Sequence, residues 1–153
     1  MYDLAQITAR LIQKSFPELR NIRILVYSTP QEEMEDVLTG YSSFRGEFYL
    51  DVNEVLNART LPEIEGGLIL QLASIAFDLA SSKEQSTLAR LARLLISNLS
   101  EKRKKLRVQA IDLEVLKRGY SEELLAFLLY AERNGYTHSV GHSYSELRQL
   151  QAK

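Results

Sequence analysis

The two histidines of this chain, His138 and His142, stand four residues apart, with Glu146 four further on. On a helix that spacing sets two neutral imidazoles and a carboxylate on one face, which is a zinc-ligand set and the core of a metal-dependent hydrolase. Ser139 occupies the position where a metallopeptidase needs a glutamate beside its first histidine. Gly135 and Gly141 flank the pair and argue for loop, which spoils the i, i+4 geometry. Ser143-Tyr144-Ser145-Glu146 is a capping-box sequence that gives Glu146 a structural task at the start of a final helix. Solvated loop histidines are therefore the expectation. Zinc is the one cofactor left open, and none is expected.

A second chemistry lies in Lys102-Arg103-Lys104-Lys105-Leu106-Arg107, the densest run of charge in the chain. If a helix from Glu84 continues past Ser100 and Glu101, Arg90, Arg93, Lys104 and Lys105 gather opposite Leu88, Leu95, Leu99 and Leu106. Such a face can neutralise several phosphates, so a nucleic-acid partner is one reading. Charge opposite an apolar stripe is also what any surface helix shows, and the cluster has no interleaved aromatics for base stacking. Gly66-Gly67 lacks the spacing and lysine of a phosphate loop, and no serine sits in a nucleophile-elbow motif.

These residues need elements to position them. Leu4, Ile7 and Leu11 recur at helical spacing up to Pro17, and Ile22 to Tyr27 is a β-branched and aromatic strand. Thr29-Pro30-Gln31-Glu32 predicts a capped short helix that Gly40 stops. Phe48, Leu50 and Val52 alternate with polar neighbours, and Arg45-Gly46 turns that strand back on Tyr41 to Phe44 as a hairpin. Asp51, Asn53 and Glu54 follow a strand and could ligate a cation, yet Asp51 or Asn53 capping a short helix through Leu56 is the simpler use. Thr60 and Glu63 cap a helix that is apolar nearly all round to Leu79, and Ser82 with Gln85 begins the next. Ile111, Val115 and Leu116 mark another before Gly119, and Ser121 opens a further helix that Asn134-Gly135 ends.

The order helix, strand, short helix, hairpin, buried helix over residues 20 to 80 resembles the core of zincin-type metallopeptidases. In that family the buried helix carries HExxH, often within H-E-L-A-H-I, with two histidines on zinc and the glutamate activating its water. Here Leu70-Gln71-Leu72-Ala73-Ser74-Ile75 keeps the apolar frame, while leucine, glutamine and serine replace the ligands and the base. Asp78 continues the same face, yet one carboxylate makes no zinc site. The resemblance implies a non-catalytic relative.

At 153 residues and 45% apolar content the chain has the size of one domain, able to bury about 70% of its unfolded surface. Nineteen basic residues against 20 acidic ones leave no global field to draw it onto nucleic acid or an anionic membrane. Without cysteine it has no disulfide or thiolate chemistry. Its opening residues do not read as a signal peptide, and the uncharged stretch Gly66 to Phe77 is too short to span a bilayer, so a cytoplasmic protein with no membrane partner is expected. The expected fold is α+β, mostly helical with a small sheet of about three strands. The preferred function is a non-catalytic binding or structural module acting through a protein partner or as a homo-oligomer. The Leu124 to Tyr130 segment, apolar on more than one face, is the surface that self-association would use if the core leaves it free.

Overall fold

The structure is a computed structural model and describes residues 1–83, 101–138 and 141–152. Among these, helix α1 (Leu4–Ser15) leads through a 3-10 turn (Pro17–Leu19) into β1 (Ile24–Thr29). A one-turn helix, α2 (Gln31–Met34), precedes β2 (Thr39–Phe44) and β3 (Glu47–Asn53). Then come α3 (Glu54–Asn57), α4 (Leu61–Lys83), α5 (Glu101–Lys117), α6 (Ser121–Arg133) and α7 (Tyr144–Gln151). The class is α+β, with a mixed three-stranded sheet.

Strand order is β1-β3-β2, with β1 parallel and β2 antiparallel to β3. The expected hairpin forms, and its turn residues Arg45 and Gly46 take φ 52° and 81°, the left-handed pair that suits a two-residue turn. Phe48, Leu50 and Val52 point into the core, as their alternation requires, and α1 and α4 pack on that face.

Helix α4 is the centre of the molecule. Leu68, Ile69, Leu72 and Ile75 are wholly buried, and α4 packs most extensively on α6. Gly66 and Gly67 make that approach possible. A Cβ on Gly66 would lie 2.7 Å from both the Glu123 carbonyl carbon and the Phe127 Cβ, and one on Gly67 2.9 Å from Thr39 Cγ2. Leu61–Ser82 is long and apolar enough to cross a membrane by length and composition, but much of it is core here, a pattern that an interior helix shares.

Several local expectations give way to tertiary contacts. The first strand runs Ile24–Thr29 rather than from Ile22, because the Ile22 amide completes the preceding turn on Leu19 and because Ser28 and Thr29 pair with Val52 and Asn53. Thr29 caps no helix: it is a strand residue whose hydroxyl donates to Asp51, and the Glu54 carboxylate takes the Gln31 amide instead. The short helix ends at Glu35, which has φ 52°, and Gly40 belongs to β2. Ser82 starts no helix either. Its hydroxyl bonds back to the Asp78 and Leu79 carbonyls inside α4, which continues to Lys83. Asn53 caps α3 by accepting from the Val55 amide, and Glu63 accepts the Thr60 amide ahead of α4.

Candidate functional site

The motif face of α4 lies against β2, and each of its polar groups is engaged. Leu70 is buried in the core. Gln71, 4% exposed, donates from Nε2 to the Thr39 hydroxyl at 2.9 Å and to the Thr39 carbonyl at 3.3 Å. Thr39 opens β2, an edge strand, so Gln71 covers a carbonyl at that edge. The Ser74 hydroxyl returns to the Leu70 carbonyl at 2.8 Å, the usual outlet for a buried helical serine.

One turn further along, Asp78 accepts from the Tyr41 hydroxyl of β2 and from Arg107 of α5 at 2.7 Å. Burial, then the bond to Asp78, pushes the Tyr41 hydroxyl up to about 12, so it stays protonated and donates. Burial draws Arg107 down, but the Asp78 carboxylate outweighs it and holds the guanidinium above its ordinary value. Leu70, Gln71, Ser74 and Asp78 thus share one face with a polar cluster at its open end. The arrangement binds β2 and α5 to α4. None of these four positions carries a free base.

The basic run is divided. Lys102, Arg103, Lys104 and Lys105 are exposed at the start of α5, with Lys104 3.4 Å from Glu101. Arg107 leaves the cluster for Asp78. Leu106, expected on a buried stripe, is 57% exposed, because α5 turns Ile111 and Val115 to the core instead. Arg90 and Arg93 lie outside the described residues, as does the path of the chain from Glu84 through Ser100.

The histidines sit in no helix, and their side chains go to different partners. His142 Nδ1 is 2.8 Å from Asp112 Oδ2, which also accepts the Gly141 and His142 amides. The nearest carboxylate to His138 is Glu132, at 3.8 Å from Nε2, and its Nδ1 is buried without a partner. Burial lowers the His138 pKa against the pull of Glu132. Glu146 closes the capping box with Ser143 as the sequence predicts, and the Ser143 amide holds its carboxyl below the usual range. Among the described residues, no group of three or more His, Asp or Glu side chains is placed to hold a metal.

Asp112 is the site residue that the sequence reading missed. It is fully buried, and burial raises its pKa to about 6 against the donors around it. Its other oxygen, Oδ1, has no partner. Ile111-Asp112-Leu113 carries no motif, and its partners lie about 30 residues away, so local spacing holds no signal for it. No protein-family model, curated protein or solved structure matches this chain.

Proposed function

We propose that this protein is a non-catalytic binding module built on a zincin-like core whose zinc-binding positions have been turned over to structure. The observation that carries this is Gln71. Where a zincin holds its general base, the side chain here is a buried amide spent on Thr39. An amide cannot take a proton from water, and Leu70 offers no ligand, so the rate contribution of a base and a metal has no source at these positions. Ser74 and Asp78 support the reading, since both are held by bonds within the fold.

Restoring the ligands tests it. A Leu70→His, Gln71→Glu, Ser74→His variant places two imidazoles at i and i+4 beside a carboxylate, and is expected to bind one zinc per chain where the unaltered protein binds none. A folded triple variant that takes up no zinc would remove the zincin-like frame. Zinc-dependent peptidase activity in the unaltered protein, lost on Gln71→Ala, would remove the non-catalytic reading.

Nucleic-acid binding is the second reading, favoured by one observation: Lys102, Arg103 and Lys105 are exposed and have no carboxylate within ion-pair distance among the described residues. It predicts binding to DNA or RNA at low salt that weakens steeply as salt is added, and that falls in a variant with the three residues changed to glutamine. No binding at low salt ends it.

A further inference from the structure

Strand β1 lies at the edge of the sheet, and no described element pairs with its other side. The Phe48 amide donates to the Arg23 carbonyl, which fixes the phase of the parallel ladder. Arg23, Leu25 and Tyr27 therefore turn their backbone groups to β3, and Ile24, Val26 and Ser28 turn theirs outward. Proteins blunt such edges with charge, proline or a bulge. Ile24-Leu25-Val26-Tyr27-Ser28-Thr29 has no charged residue and no proline, is rich in strand-forming types, and pairs with β3 in unbroken register. Ile24, Leu25 and Val26 are only partly buried, and Tyr27 is 48% exposed.

Beside this edge a groove of about 320 Å³ separates β1 from α1, with Thr8, Ile12, Ile24 and Val26 among its walls. Thr8 is 3% exposed, and its hydroxyl has no hydrogen-bond partner.

We propose that β1 is an interaction edge and that its occupant is β1 of a second copy of this chain, paired antiparallel about Val26. This names the partner of the binding module and is independent of the zinc-site history of α4. Antiparallel pairing about Val26 sets Ile24 opposite Ser28 of the second copy, so all the outward backbone groups meet in about six hydrogen bonds. Charge allows the pairing. The strand is neutral, Arg23 is held by Glu47 of its own chain at 2.7 Å, and the whole chain has a net charge of only −1. The two Arg23 side chains would lie roughly 20 Å apart at about 3.3 Å per residue, too far for appreciable repulsion. A neutral, strand-forming edge meets the same pattern in every other copy, and it offers no complementarity to an acidic or basic partner.

Light scattering and sedimentation of the full chain over micromolar to high micromolar concentrations test this. The unaltered protein is expected to approach twice its 17.5 kDa mass. Val26→Pro removes an outward amide that β3 does not use, and Ser28→Lys adds charge to the edge, so both are expected to remain monomers with unchanged circular dichroism. Tyr27→Ser leaves the outward amides in place and should still dimerise. Amide exchange at Ile24 and Ser28 should slow with concentration in the unaltered protein and in Tyr27→Ser, and not in Val26→Pro or Ser28→Lys. A monomer at every concentration overturns the proposal, and so does a dimer that survives Ser28→Lys with its exchange pattern unaltered. Should Val26→Pro fail to fold, Ser28→Lys decides. Zinc uptake by the restored α4 is measured separately and does not depend on which result is found.

Discussion

At the scale of single residues, the buried polar groups determine what this protein can and cannot do. Removing Gln71 leaves the Thr39 hydroxyl and carbonyl without their donor, so Gln71→Ala should cost about 1–3 kcal/mol in urea unfolding, whereas Ser43→Ala, at an exposed strand position, should cost little. Asp112 makes stability depend on pH in an uncommon direction. Its carboxyl, lifted by burial to about 6 from an ordinary 3.8, holds its proton more tightly folded than unfolded. Its contribution is therefore full below about pH 4 and is lost as pH rises through about 6, by at most about 3 kcal/mol. The neighbouring ionisable groups are His142 on Asp112 itself, Glu146 and Lys105 near that pair, and Glu132 by His138. Asp112→Asn keeps an acceptor for the Gly141 and His142 amides but cannot ionise, so its urea stability should change less between pH 4.5 and pH 7 than that of the unaltered protein. An unchanged pH slope would show that another group carries it. None of this was visible in spacing. Gln71 and Ser74 stood out through the motif they interrupt, and Asp112 did not stand out at all.

At the scale of elements, the close contact of α4 and α6 decides the sign of a glycine substitution. In an exposed helix Gly→Ala gains about 1 kcal/mol. At Gly66 the new methyl would press on the Glu123 backbone and Phe127, which cannot move without shifting α6, and overpacking of this kind costs about 1–3 kcal/mol or more. Gly66→Ala should thus lower the thermal midpoint, and a raised midpoint would mean that the two helices pack more loosely. Which helix approaches these glycines is not legible in the sequence. The hairpin, the Ser143 capping box and a cap at Asp51 or Asn53 are legible there, all governed by residues within a few positions of one another. The start of β1, the cap of α2 and the extent of α4 past Leu79 are not. There the winning contacts come from distant residues: Glu54 for α2, and β3 for the last residues of β1.

At the scale of the whole molecule, one apolar cluster takes residues from α1, the sheet, α4, α5, α6 and α7. Leu124, Leu125, Phe127 and Leu128 belong to it, so the core consumes the surface that the sequence offered for self-association, and the interaction surface we propose is instead the edge of β1 that no described element pairs with. With one shared core, urea unfolding should give coincident transitions by far-ultraviolet dichroism and tyrosine fluorescence; two separated transitions would show that the C-terminal helices unfold on their own. Amino-acid order by itself determined the class of fold, the buried character of α4, the turn at Arg45-Gly46 and the absence of cysteine chemistry. Each rests on periodicity, on a short-range bond or on composition. Only the tertiary structure decided that Gln71 is tied to Thr39, that Arg107 leaves the basic cluster for Asp78, that His142 belongs to Asp112 and not to a metal set with His138, and that no described element pairs with the outer side of β1. Those outcomes join residues about 30 positions apart or depend on what fails to cover a surface, and burial and backbone direction in three dimensions set them.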